Sequence, residues 1–125
     1  MRFDDGRSIY QQIVEYVQDQ ILRGTWEEEA RLPAVRELAV ELGVNPNTVQ
    51  RSYSTLQDEE LIYNRRGVGY FVAPGARERS GRRRRKTFEN DVLPRVFETM
   101  EDLDYTMQDL TDARRLWHTQ QKEKA

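Results

Sequence analysis

The sequence predicts a mainly α fold with one small β-hairpin. Three observations carry it. Apolar residues recur at helical spacing over 8–23, two further helical stretches are joined by the short Gly43-Val44-Asn45 turn, and two apolar runs flank a glycine-bearing turn at 65–68.

Ile9, Ile13, Val17 and Ile21 put one apolar face on the first helix, 8–23, flanked by Tyr10, Val14 and Leu22, with Ser8 as its N-cap and Gly24 as its stop. A polar connection, 25–31, carries three consecutive glutamates. Pro33 then introduces a second helix over about 34–42, because proline at a helix start gives up only a donor that would be unpaired there. Its apolar face is Val35, Leu38, Ala39 and Leu42, and Gly43 ends it. Pro46 opens the third helix, about 46–59, capped by Asn45 and striped by Val49, Tyr53 and Leu56. Leu61-Ile62-Tyr63 and Gly69-Tyr70-Phe71-Val72 read as strands around the tip Arg65-Arg66-Gly67-Val68. Pro74 and Gly75 close the hairpin and mark a boundary.

Beyond that boundary, 77–86 reads as a basic linker containing Arg82-Arg83-Arg84-Arg85-Lys86. A helix over about 86–103 follows, with Phe88, Val92, Val96, Met100 and Leu103 on one face. Pro94 lies inside it and predicts a kink or a junction. The last helix starts near Thr106, where Thr106 and Asp109 have capping-box spacing, and runs through Leu110, Ala113 and Trp117. Helix, tight turn, helix and hairpin is the order of a winged helix-turn-helix. The expected organisation is therefore a winged helix-turn-helix DNA-binding domain, 1–75, and a short two-helix C-terminal dimerisation segment, 76–125.

Composition narrows the function. Hydrophobic residues are 37% and charged residues 34% of 125, which suits one compact module with an appendage. Cysteine is absent, which excludes disulfides and thiolate metal sites. No apolar run nears the ~20 residues of a membrane helix. Asp4, Asp5 and Gly6 stand where a signal peptide would be apolar, so a cytoplasmic protein with no membrane partner is expected. Nothing points to an enzyme: there is no nucleophile motif, no phosphate-cradling glycine loop and no metal-ligand or cofactor-binding cluster, and His118 reads as a surface histidine.

Net charge is −2. Residues 1–75 carry 8 Lys/Arg against 12 Asp/Glu, and 76–125 carry 12 against 10. Contact with nucleic acid must then come from a local set of arginines, not from a basic domain. A helix fits the DNA major groove, and its N-terminal turn presents side chains to base edges. The exposed positions of the third helix are Asn47, Thr48, Gln50, Arg51 and Ser54, all able to hydrogen-bond bases or phosphates. Asp58, Glu59 and Glu60 gather at the far end, away from that turn. An ordinary solvated polar face has the same composition and stays open at this point.

Leu32-Pro33-Ala34-Val35-Arg36-Glu37-Leu38-Ala39, Leu42-Gly43-Val44-Asn45-Pro46-Asn47-Thr48-Val49-Gln50-Arg51-Ser52-Tyr53, Leu61-Ile62 and Arg66-Gly67-Val68-Gly69-Tyr70-Phe71-Val72 resemble the GntR family of bacterial regulators. Asn45 to Val49 with a short tail resembles its YtrA-like subfamily. The resemblance covers 8–73 strongly, and 76–125 by length and helical character alone. It implies that Arg36 contacts DNA from the second helix and that Asn47 and Thr48 face DNA from the start of the third. It places Gln50 and Arg51 on or beside the reading face, and Arg66 and Gly67 at a wing tip that enters the minor groove. Each has a plainer reading: Arg36 could pair with Glu37 or Glu41, Thr48 could support the first helical turn, and Gly67 is first a turn glycine. Three departures stand out. Ala34 replaces a common serine, Glu29-Ala30 replaces Pro-Gly, and Glu60 replaces a common glycine. A left-handed backbone at Glu60 would cost roughly 1 kcal/mol relative to glycine.

The C-terminal helices carry more apolar surface than a lone helical hairpin could hide, so a homodimer is expected. The expected partner is a palindromic double-stranded operator bound by two recognition helices, and the resemblance implies repression. The 82–86 run reads either as a grip on flanking phosphates or as a solvated linker. A small-molecule effector is left open; Tyr105 and Trp117 read as core packing or as its lining. Two other functions fit the same fold: a winged protein-interaction module, which net acidity favours, and a non-specific architectural DNA binder.

Overall fold

The computed structural model describes Phe3 and residues 6–124. Asp4 and Asp5, and the outer ends of the two expected domains, lie outside the described residues. The chain divides into two compact units, Met1–Arg85 and Lys86–Ala125.

The first unit orders α1 (Ile9–Leu22), α2 (Val35–Leu42), α3 (Pro46–Asp58), β1 (Ile62–Arg65) and β2 (Gly69–Val72). The expected caps are present. Ser8 Oγ accepts from the Gln11 amide at 3.2 Å, and Asn45 Oδ1 accepts from the Asn47 amide at 2.8 Å. Gly43, at φ 69°, ends α2. Pro33 differs from expectation. It lies before the N-cap, which is Ala34, so the proline sets the approach to α2 and not its first turn. Ala34 has no side chain to cap with; instead Glu37 Oε1 reaches back to the Ala34 amide at 3.3 Å.

One core joins these elements. Ile13, Val17 and Ile21 of α1 meet Leu38 and Ala39 of α2, Val49, Tyr53 and Leu56 of α3, and Leu61, Ile62 and Val72 of the hairpin. Tyr53 is fully buried, with its hydroxyl donating to the Pro33 carbonyl at 2.7 Å. Buried polar groups are paired, as their desolvation requires: no described buried side-chain N or O lacks a partner.

The strands pair antiparallel with Ile62 opposite Val72 and Arg65 opposite Gly69. The first strand starts one residue later than expected. Leu61 is buried, but its amide donates back to Leu56 at the end of α3. The polar connection before Leu32 lies along β2 as a third edge. Its bonds are Glu29 amide to Val72 O (2.8 Å), Val72 amide to Ala30 O (2.9 Å) and Leu32 amide to Tyr70 O (2.9 Å). Its left-handed residue is Glu29, at φ 68°.

Glu60 is left-handed as well, at φ 62°. We expect Glu60→Gly to raise stability by about 1 kcal/mol, since glycine adopts this conformation without the Cβ clash. A thermal melt should show a midpoint a few degrees higher; an unchanged or lower midpoint would contradict it.

The expected linker 77–86 is a helix instead. α4 (Ala76–Thr87) buries Ala76 and Ser80 and packs its polar side chains on α1. Ser80 Oγ donates to Gln18 O at 2.8 Å, and Arg77 Nε to Leu22 O at 2.9 Å. Arg84 reaches Asp19 at 3.1 Å and Glu15 at 3.7 Å, while Arg83 reaches Glu59 at 3.3 Å. The boundary between units therefore falls after Arg85, ten residues beyond the Pro74-Gly75 signal.

In the second unit a π-helical turn, Phe88–Val92, leads to α5 (Leu93–Leu103) and α6 (Met107–Lys124). Leu93 donates five residues back, to Phe88 O. That widened turn sits just before Pro94, whose missing N–H and bulky ring disfavour a regular turn there. The capping box at α6 is reciprocal: Thr106 Oγ1 accepts from the Asp109 amide at 3.0 Å, and Asp109 Oδ2 from the Thr106 amide at 2.9 Å. No described residue of this unit is buried. Phe88, Phe97, Leu103, Leu116 and Trp117 are each about half exposed or more, and Tyr105 is exposed too, so neither Tyr105 nor Trp117 is a core residue of the single chain.

Candidate nucleic-acid interface

Three elements present the predicted side chains. The apolar stripe of α3 fixes its rotation: Val49, Ser52, Tyr53 and Leu56 are buried. Asn47, Gln50, Arg51 and Ser54 are therefore exposed, and Thr48 is half-buried. Ser52 Oγ lies within hydrogen-bond distance of Thr48 O (2.9 Å) and of Tyr10 O in α1 (3.0 Å), which ties the first turns of α3 to α1. The Asn47 and Thr48 side chains make no hydrogen bond among the described residues, so their donors and acceptors face solvent.

Gln50 and Arg51 are held. Gln50 Nε2 donates to the Tyr70 hydroxyl at 3.0 Å, linking the third helix to β2. Tyr70 in turn sits edge-on to Tyr53, with centroids 5.1 Å apart. The Arg51 guanidinium lies 3.9 Å over the Tyr10 ring, a cation–π contact, and the Tyr10 hydroxyl is 2.6 Å from Thr55 Oγ1. Arg51 thus stands beside the outward face, anchored to α1.

Arg36, the second residue of α2, is exposed. It forms no ion pair with Glu37 or Glu41 among the described residues. Glu37 is engaged instead with the Ala34 amide. At the hairpin tip the Val68 amide donates to Arg65 O at 2.8 Å. Gly67 lies at φ +78° with nothing within 4 Å of an added Cβ, so the demand for glycine is conformational and not one of space. Arg66 is exposed at this tip without an ion pair among the described residues. Arg65 lies over the Phe71 ring at 5.1 Å.

Tyr10 and Tyr70, which hold Arg51 and Gln50, were missed as supports of the site, and the place of Arg31 beside the hairpin was missed as well. Tyr10 read as a flanking core residue and Tyr70 as strand packing; only the observed register brings the Tyr70 hydroxyl to Gln50. Arg31 bridges to Phe71, and its Nε lies 3.1 Å from where a Gly69 Cβ would be. No sequence pattern marked it.

The electrostatics bear on what this surface can do. Three carboxylates are matched internally: Glu15 and Asp19 of α1 by Arg84, and Glu59 at the end of α3 by Arg83 and Gln18. The basic run of α4 thus offsets carboxylates of its own unit. No group of three or more His, Cys, Asp or Glu suited to a metal occurs among the described residues, and none of the described helices is long and apolar enough to cross a membrane.

Comparison with known proteins agrees with this geometry. Residues 9–72 match the family described as bacterial regulatory proteins, gntR family. The chain is 37% identical over 75 residues to the HTH-type transcriptional regulator YhcF of Bacillus subtilis, covering 60% of this chain and 62% of that one. It is 38% identical over 69 residues to the HTH-type transcriptional repressor YtrA of the same organism, covering 55% and 53%. The matches thus span less than two thirds of these relatives. A solved GntR family transcriptional regulator from Listeria monocytogenes superposes with a TM-score of 0.73 at 33% identity, covering 90% of this chain and 97% of that one. The chain belongs to the GntR family of bacterial regulatory proteins and resembles its YtrA-like members.

Proposed function

We propose that this chain is a sequence-specific DNA-binding transcription regulator, a repressor that binds a palindromic operator as a homodimer in the cytoplasm. The observation that carries the reading is the outward N-terminal turn of α3, with Asn47 and Thr48 uncommitted and Gln50 and Arg51 oriented by tyrosines. Arg36 and the Arg66-Gly67 tip supply an arginine on either side in sequence. In this reading Asn47, Thr48 and Gln50 address base edges, Arg36 and Arg51 the backbone or adjacent bases, and Arg66 the minor groove. The repressor YtrA among the relatives supports repression.

The homodimer rests on the second unit. Many of its apolar side chains, Phe88, Phe97, Leu103, Met107, Leu116 and Trp117 among them, are exposed within the described chain, and an isologous contact between two copies would hide them. A dimer also sets two recognition helices about one helical turn apart.

We expect Arg36→Ala and Thr48→Ala each to weaken specific binding by about 1–3 kcal/mol without unfolding the protein. Titration of palindromic and scrambled duplexes at two salt concentrations checks this. Undiminished affinity in both variants would remove the assigned face. Equal binding of the two duplexes would point to an architectural binder. No binding at either salt would point to the protein-interaction module.

A further inference from the structure

Arg79 sits where two chain reversals meet. Its Nε and Nη2 donate to Glu60 O at 3.1 and 2.6 Å, and Nη2 also donates to Pro74 O at 2.7 Å. Glu60 precedes β1 and Pro74 follows β2, so one guanidinium closes the base of the hairpin from outside the ladder. The surrounding backbone is shaped to it. Glu60 is left-handed, which aims its carbonyl at the cation. Gly75 has φ +74°, and a Cβ there would lie 2.8 Å from Arg79 Nη1. Two hydrogen bonds already close the same base, Leu61 amide to Leu56 O and Ala73 amide to Leu61 O, both at 3.0 Å. They hold strand to strand and strand to α3, but neither reaches α4.

We propose that Arg79 is a positioning residue that sets the wing relative to α3, and so determines how the Arg66-Gly67 tip meets DNA. The rationale is mechanical. Each strand of the hairpin is only four residues long, and its tip from Arg65 to Val68 is exposed, so the direction of the tip follows from how the base is held. A planar cation with several donors can hold two carbonyls in one geometry, which a lysine ammonium on a flexible stem does less well. Arg79 itself is engaged in these bonds. Arg79, on this account, contributes to DNA binding through the hairpin and not through contact.

The inference rests on the DNA-binding reading above, and the test separates the two. Full-length protein is compared with Arg79→Gln and Arg79→Lys, each alone and combined with Arg66→Ala or with Arg36→Ala. Arg79→Gln should lower operator affinity about tenfold, the loss of roughly one charge-assisted hydrogen bond. Arg79→Lys should recover part of that loss. The salt slope in Arg79→Gln should fall no further than it does in Arg66→Ala, and the double variant should match the single ones, because Arg79 acts through the tip; a direct phosphate contact by Arg79 would take a further step of about one from the slope of the double variant. The Arg66→Ala effect should shrink in the Arg79→Gln background, while the Arg36→Ala effect should add independently. Hydrogen exchange without DNA should show faster exchange at Leu61 and Ala73 in Arg79→Gln, with the Val49–Tyr53 region unchanged.

Additive behaviour with Arg66, a further loss of salt slope in the double variant, or unchanged exchange at the hairpin base would each overturn the proposal. Failure of the parent protein to bind any duplex would instead refute the DNA-binding reading, and the exchange experiment would still judge the clamp.

Discussion

Cutting the chain after Thr87 is expected to leave a folded monomer whose operator affinity is about 10²–10⁴-fold weaker. All buried residues among those described lie at or before Ser80, so the truncated protein keeps its whole core and most of the α4 contacts. What it loses is the proposed dimer seam. With two linked reading heads, the second half-site is met at an effective concentration near millimolar; a single head has no such advantage. Sedimentation and duplex titration measure the two consequences independently. A truncated protein that still sediments as a dimer would place the seam elsewhere. A monomer with undiminished affinity would show that one head suffices.

Tyr53→Ala is expected to destabilise the first unit by about 3–5 kcal/mol. That is a large part of the 5–15 kcal/mol that separates a typical domain from its unfolded state. Tyr53 is wholly buried, touches Tyr70 edge-on and donates to Pro33 O, so its loss opens a cavity and leaves a carbonyl unpaired behind the reading helix. Tyr53→Phe keeps the ring and should lose only about 1 kcal/mol. The hydroxyl adds a pH dependence. Burial, and then the nearby Glu37, push its pKa well above the ordinary 10.0. The folded chain therefore holds a proton that the unfolded chain releases above pH 10, and stability should fall as pH rises past that value. Urea unfolding at pH 8 and above pH 10 should show a shallower fall in Tyr53→Phe. Equal falls in both proteins would mean the hydroxyl does not carry the effect. Tyr16 and Tyr63 are shifted the same way, so the variant should keep some slope.

The first three helices were legible because each signals itself twice, by apolar spacing and by a local stop or cap. Ser8, Gly43 and Asn45 act through their own side chain or backbone, with little help from the tertiary fold. The same holds for Thr106 and Asp109. The α4 helix was not legible, because periodicity registers apolar residues and α4 attaches by other means. Ser80, Arg79, Arg83 and Arg84 bond to carbonyls and carboxylates distant in sequence, and a run of arginines has the same composition whether solvated or paired. The 29–32 edge was hidden for a related reason: its contribution is backbone hydrogen bonding, which side-chain identity does not encode. The π turn before Pro94 is a helical adjustment that the proline announces only as a disturbance.

The candidate surface shows the same division. Exposure of Asn47, Gln50 and Arg51 follows from the rotation that buries Val49, Tyr53 and Leu56, so the sequence alone located it. How those side chains are held does not follow. The Tyr70 grip on Gln50 depends on strand register, and the Tyr10 seat of Arg51 on the packing of α1 against α3. Charge was the most misleading signal. The excess of carboxylates in 1–75 argued against DNA, yet Glu15, Asp19 and Glu59 are answered by arginines beyond that boundary.

Selection of bound sequences from a random duplex pool, with full-length protein at near-physiological salt, tests the central claim most directly. The account predicts enrichment of an inverted repeat whose half-site centres lie about 10 base pairs or a multiple apart, with the preference lost in Thr48→Ala. A pool that emerges with no preferred sequence, or an enriched motif that survives changes at Asn47, Thr48 and Gln50 alike, would contradict it.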